Sequence, residues 1–226
     1  MTRVGVILSG CGVYDGSEIH EAVLTLLALD RAGVEAVIMA PDKTQAHVVD
    51  HTTGEPTKEK RNVLVEAARI ARGEIIDVKD ADPDELDAVI LPGGYGAAKN
   101  LSTFATDGER CEVDADVRKL LEELHAAGKP IAALCIAPTL VARIFGEELE
   151  PELTIGSDEA TASALEAMGA KHFEAKVSEI VIDERNRIIT SPCYMLPARI
   201  SEIAKGAEKA VQALLTMAKE TAGATK

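Results

Sequence analysis

The 226-residue sequence predicts an α/β fold: one open, mostly parallel sheet with helices on both faces. Two observations carry this. Short Val- and Ile-rich runs alternate with helix-period segments along the chain, and each apolar run closes on a glycine-rich or small-residue turn. Composition agrees: 46% hydrophobic and 27% charged residues supply a sizeable core and an ordinary surface. There is no internal repeat and no linker, so residues 1–220 read as one domain and 221–226 as a frayed tail.

The elements follow in order. Arg3 to Ser9 is a buried parallel strand. From Glu18 to Arg31, the residues Ile19, Ala22, Val23, Leu26, Leu27 and Leu29 recur at helical spacing, Ser17 is a fair N-cap and Gly33 is the stop. Val34 to Ala40 is the next strand, HTTGEP (51–56) a turn, and Val63 to Ala71 a helix ending at Gly73. Asp87 to Leu91 is a strand broken by PGGYG. Val113 to Ala127 is a helix, Ile131 to Leu134 a strand, and Pro138 to Phe145 a helix. Ala160 to Met168 is a helix stopped by Gly169. Ser178 to Asp183 and Arg187 to Ser191 form a C-terminal hairpin around ERN, and Ile200 to Ala218 is the closing helix.

Composition also excludes functions. A net charge of −14 argues against a nucleic-acid or anionic-membrane partner, which would need a basic face. Three Tyr, three Phe and no Trp are few for base or sugar stacking. The longest uncharged run, Pro130 to Ala142, is too short to span a membrane. The N-terminus reads as a strand rather than a signal segment. Four cysteines, at 11, 111, 135 and 193, suit reduced thiols and a cytoplasmic protein, and without a CxxC pair they predict no zinc or other metal site.

Ligands in such sheets bind beyond the carboxyl ends of the strands, which selects the loops GCGVYDGS and PGGYG and the turn at Cys135. Cys135 lies between a strand and a helix, with small neighbours at Ala133 and Ala137, as a strained nucleophile turn requires. The helix N-terminus behind it is expected to lower the thiol pKa. The alternative is a buried structural cysteine. Adjacent glycines after a strand leave amides free, so Gly94 and Ile136 are candidates for an oxyanion hole; a plain turn is the alternative. Glu18 and Glu21 share a face of the first helix, and His20 is turned away by about 100°. The macrodipole alone accounts for Glu18, whereas Glu21 borders the apolar face and calls for a further reason. SGCGVYDG does not complete G-x-G-x-x-G, because the third position falls on Asp15, so no dinucleotide cofactor is expected.

Together VILSGCGVYDGSEIHEAV, LPGGYGAAKNLSTFA, LCIAPTLVARIF and IITSPCYM resemble the ElbB family, a glyoxalase group associated with isoprenoid biosynthesis. It lies within the class I glutamine amidotransferase-like superfamily, alongside the Parkinsonism-associated deglycase and the PfpI proteases. The similarity runs from Arg3 to about Ala218. It implies a flavodoxin-like three-layer sandwich, a Cys135 nucleophile, a Glu21 carboxyl hydrogen-bonded to it, and Gly94 and Ile136 as oxyanion amides. Gly93, Glu18, His20 and Lys99 are further pocket candidates, as are Asn100, Cys11, Cys193 and Tyr194.

The chain departs from the wider superfamily in its histidines. Amidotransferases place one after the last strand, where SPCYM stands here, and PfpI proteases place one directly after the nucleophile, where Ile136 stands. His47, His51, His125 and His172 fill neither position. The implied chemistry is therefore a glutathione-independent, cofactor-free glyoxalase reaction, a lyase acting on a small dicarbonyl such as glyoxal to give glycolate. The competing reading is a non-enzymatic cysteine redox sensor or regulatory binding protein. The resemblance also implies a homodimer. Glu21 is expected within reach of the Cys135 sulfur, sharing one proton with it, and Glu18 further off or solvated. Cys11 and Cys193 both follow strands and are candidate pocket or resolving thiols; as small hydrophobes they would instead fill gaps.

Overall fold

The computed structural model describes residues 1–224. Among them, one sheet contains β1 (Arg3–Ile7), β2 (Glu35–Ala40), β3 (Ile76–Asp77), β4 (Ala88–Leu91), β5 (Ile131–Leu134), β6 (Val181–Asp183) and β7 (Ile188–Ser191). The spatial order is β6-β7-β5-β4-β1-β2-β3. Every neighbouring pair is parallel except the β6–β7 hairpin. Without the two-residue edge strand β3, the parallel order is that of flavodoxin-like sheets, second-first-third-fourth-fifth.

The helices are α1 (Ile19–Arg31), α2 (Val63–Ile70), α3 (Tyr95–Lys99), α4 (Phe104–Asp107), α5 (Ala115–Ala126), α6 (Pro138–Leu149), α7 (Glu159–Ala167) and α8 (Ile200–Ala224). Strand alternation divides the core between two faces. Val4, Val6, Ile90 and Leu134 pack with Ala22, Leu29, Ile203 and Val211 beneath α1 and α8. Ile7, Val89, Leu91 and Ile131 pack with Leu121, Leu124, Leu140 and Phe145 beneath α5 and α6. Both faces are covered, which is why the strands read as continuous apolar runs rather than alternating ones.

Three expectations are corrected. The N-cap of α1 is Glu18, whose carboxylate accepts the Glu21 amide at 2.7 Å. Ser17 instead accepts the Ser9 amide at 2.8 Å and ties the β1 loop. Helix α6 runs past Phe145 to Leu149 and ends on Glu150 in the left-handed region, with φ 47°. The expected frayed tail is helical from Thr221 to Ala224, because the Thr221 hydroxyl donates to the Gly128 carbonyl at 3.0 Å and accepts from Arg187 at 2.7 Å. Residues 225–226 of that tail lie outside the described residues. No described helix is long and apolar enough to cross a membrane.

Candidate active site

Cys135 directly follows β5, with α6 starting at Pro138. Its φ of 58° is left-handed, which costs a residue with a Cβ roughly 1–2 kcal/mol. The turn is fixed on both sides. The Cys135 amide donates to the Ser191 carbonyl at 2.9 Å, and Gly93 closes the other side. A Cβ on Gly93 would lie 2.3 Å from Cys135 Cβ. Any side chain at 93 would displace the thiol.

Glu21 sits in the first turn of α1 and is fully buried. Its Oε2 accepts the Gly93 amide at 2.9 Å and its Oε1 accepts the Tyr194 amide at 3.0 Å. The Cys135 thiol lies beside it, both groups packing against the Gly93 backbone. Burial pushes the Glu21 carboxyl up to about 7, helped by the nearby Glu18 charge and opposed by the Tyr194 and Gly93 amides and the thiol. Glu18 is not solvated: it is buried, directed at the end of α1, and its amide donates to the Gly93 carbonyl at 2.9 Å.

The expected lowering of the Cys135 pKa is reversed. Burial and the Glu21 charge push the thiol well up, outweighing the Gly94 and Ile136 amides that favour its anion. The resting pair therefore holds its proton, and the sulfur needs a base at the moment of attack. Both amides act on the sulfur and favour its anion. Gly94 reaches this position at φ 95°, where a Cβ would lie 2.3 Å from the Glu18 nitrogen. Only glycine fits.

A cavity of about 540 Å³ opens onto the thiol. It is lined by the expected Glu18, Gly94, Lys99, Cys135, Ile136 and Tyr194. Gly93 stands behind the thiol, against Cys135 and Glu21. His20 is exposed on α1, its Nδ1 2.9 Å from the Tyr194 hydroxyl. Two expected pocket residues lie elsewhere. Asn100 is buried and staples loops, donating to the Ser9 and Asp15 carbonyls at 2.8 Å each and accepting the Ala46 amide at 2.9 Å. Cys11 is half-buried, feels the charges of Glu66 and Arg69, and is absent from the cavity wall. Cys193 is fully buried in the core against Ser191, on the same side of the sheet as Cys135 but off the cavity wall.

Sequence reasoning missed Tyr95, Phe104, Asp158, Thr161 and Met195 on the cavity wall. Tyr95 had a signal, since it follows Gly94 in PGGYG. Asp158 and Thr161 had none: they arrive from α7 by tertiary packing. His47, His51, His125 and His172 are absent from that wall.

The sequence pattern of the DJ-1/PfpI family matches residues 11–197. The chain belongs to the DJ-1/PfpI family. Within DJ-1/PfpI it is 46% identical over 225 residues to the human "Glutamine amidotransferase-like class 1 domain-containing protein 3, mitochondrial", covering 95% of this chain and 83% of the human one. It is 37% identical over 209 residues to the zebrafish "ES1 protein, mitochondrial", covering 86% and 77%. The crystal structure of an isoprenoid biosynthesis protein with an amidotransferase-like domain, from Ehrlichia chaffeensis, superimposes with a TM-score of 0.88 at 36% identity, covering 95% and 99%. The DJ-1/PfpI family includes enzymes with a cysteine nucleophile, the role for which Cys135 is a candidate.

Proposed function

We propose that the protein is an ElbB-type glyoxalase that needs no glutathione and converts glyoxal, or a related small dicarbonyl, to a 2-hydroxy acid. The observation that carries this reading is the burial of the Cys135 thiol and the Glu21 carboxyl beside one another against the Gly93 backbone. Glu21 takes the thiol proton as sulfur attacks one aldehyde carbon. A C–S bond forms, and the carbonyl oxygen becomes an alkoxide held by the Gly94 and Ile136 amides. Glu21 returns the proton to that oxygen, giving a hemithioacetal. It then removes the C–H proton of the same carbon and delivers it to the neighbouring carbon, while the hydroxyl proton of the first carbon passes to the neighbouring oxygen. The first carbon is thereby oxidised to a thioester and the second reduced to an alcohol, with no outside electron acceptor. Water cleaves the thioester, releasing glycolate and the thiol.

Hydroxylamine tests the covalent step, because it converts a thioester but not a hemithioacetal to a hydroxamate. Glycolohydroxamate formed from glyoxal by the wild type and not by Cys135→Ala supports the mechanism. Its absence from wild-type protein that forms glycolate, with the protein acid-quenched and freed of glyoxal before hydroxylamine is added so that no oxime consumes the aldehyde, overturns the thioester. A redox-sensor role for Cys135 draws less support, because peroxide reacts with thiolates and this thiol is held protonated.

Two further expectations stand as proposals. The four free cysteines suit a reducing compartment, here the cytoplasm. A homodimer is supported by Ile19, Val23 and Leu27, which are exposed at four-residue spacing along α1 and form one apolar stripe. Light scattering should give a dimer mass for the wild type and a monomer mass for Val23→Glu; a monomeric wild type contradicts the proposal.

A further inference from the structure

We propose that the cavity is built for a 2-oxoaldehyde with an aromatic or apolar arm ending in a carboxylate, and that Lys99 binds this carboxylate. The inference rests on the glyoxalase reading for the reacting end of the molecule and names the substrate class. Size argues first. Glyoxal has four heavy atoms and occupies roughly 60 Å³, about two water volumes, whereas the cavity holds about 540 Å³. Cavities of that size suit ligands with a ring or more. Next to it lies a second hollow of about 260 Å³ that shares Tyr95 and Lys99 with the first. Its other walls include Tyr14, Val49 and Pro56, so it too is aromatic and apolar.

Charge argues second. Lys99 closes α3, five residues after Gly94, which is about 7–8 Å along the helix axis. Its ammonium is held on the ridge between the hollows. It donates to the Tyr14 carbonyl at 3.0 Å and stands 5.3 Å from the centre of the Tyr95 ring. Two of its three N–H bonds remain for a ligand, and it forms no ion pair among the described residues. The acidic groups on the wall are placed differently. Glu18 lies at the Cys135 end, beside Glu21. Asp158 caps α7, where it accepts the Thr161 amide at 2.8 Å and the helix N-terminus offsets its charge. An anionic arm is thus repelled from the thiol end and attracted to the ridge, which leaves the aldehyde at Cys135.

The test compares phenylglyoxal with 4-carboxyphenylglyoxal, using the ratio of their kcat/KM values within each variant. The wild type should favour the carboxylate probe about tenfold, the scale of one charge-assisted hydrogen bond. Lys99→Arg should keep the preference, Lys99→Gln should bring the ratio near one, and Lys99→Glu should invert it. A wild-type ratio near one, or a ratio unmoved by Lys99→Gln, overturns the proposal while leaving the glyoxalase reading intact. Binding separates the two further. In Cys135→Ala, 4-acetylbenzoate should bind more tightly than acetophenone by NMR titration, and Lys99→Gln should abolish the difference. That result without turnover of either glyoxal probe upholds the anion site and overturns the reaction; equal binding of the two ketones overturns the anion site.

Discussion

The backbone of Gly93 lies so close to Cys135 that a methyl group on Gly93 would approach Cys135 Cβ to 2.3 Å and Glu21 Oε2 to 2.7 Å. Thiol and carboxyl come from different elements, and the same glycine forms the wall for both. Its amide also donates to Glu21. The geometry of the pair is therefore set by the loop after β4, which contributes neither group.

Gly93→Ala should cost about 1–3 kcal/mol of stability, as overpacked cores do, and at least about 100-fold in activity, as misplaced catalytic groups do. Gly73→Ala is the control. Gly73 has φ 90° but nothing within 4 Å of a new Cβ, so only backbone strain of about 1 kcal/mol is expected there. Thermal melts and turnover of both variants check the contrast. Equal behaviour would remove Gly93 from the account.

The buried Glu21 makes both stability and activity depend on pH, in opposite directions. Its carboxyl is raised from 4.5 to about 7, so the folded protein keeps a proton that the unfolded chain has lost. Its contribution to stability is full below about pH 4.5 and is lost as pH rises toward 7, by about 3 kcal/mol. Activity should rise over the upper part of this window, because the carboxylate is the base. Urea titrations at pH 4.5 and 7 should show this loss in the wild type and not in Glu21→Gln. An identical pH dependence in both would show that Glu21 is not the group responsible.

Glu18→Gln separates charge from capping. The amide oxygen can still accept the Glu21 N–H, so helix α1 should keep its stability within about 0.5 kcal/mol. Removing the Glu18 charge should move the activity midpoint to lower pH, because that charge raises Glu21. Glu18→Ala should shift it the same way and also lose about 1 kcal/mol of capping. A midpoint unchanged in both variants would contradict the coupling.

Tyr194 binds Glu21 through its backbone and faces the cavity with its side chain, where His20 orients the hydroxyl. Tyr194→Phe should therefore leave the pH midpoint in place and raise KM about threefold, the scale of one neutral hydrogen bond. His20→Ala should do the same, and the double variant should be no worse than either single one. Fully additive effects would show that the two side chains act separately.

Much of this was legible in the sequence, for identifiable reasons. β1, β4 and β5 are buried on both faces, so they stand out as Val-, Ile- and Ala-rich runs, and Cys135 follows from the small residues around its turn. Glu21 was legible as a carboxyl beside an apolar helix face. The thiol pKa was not: helix position suggested a lowered value, and complete burial beside a second acid, a tertiary fact, reversed it. Asn100 and Cys11 have pocket neighbours in sequence, but the β1 loop folds back over Asn100 and neither residue reaches the cavity wall. Asp158 and Thr161 lie far along the chain from the other cavity residues, so no local pattern ties them to the wall.

The central claim is that Cys135 and Glu21 together carry out the internal redox reaction of a dicarbonyl. It is tested most directly by incubating purified protein with glyoxal in the absence of glutathione and quantifying glycolate. The wild type should form glycolate in equal amount to the glyoxal consumed, while Cys135→Ala and Glu21→Gln should form none above the protein-free control. Glycolate production by Cys135→Ala at the wild-type rate, or glyoxal loss in the wild type without glycolate, would contradict the account.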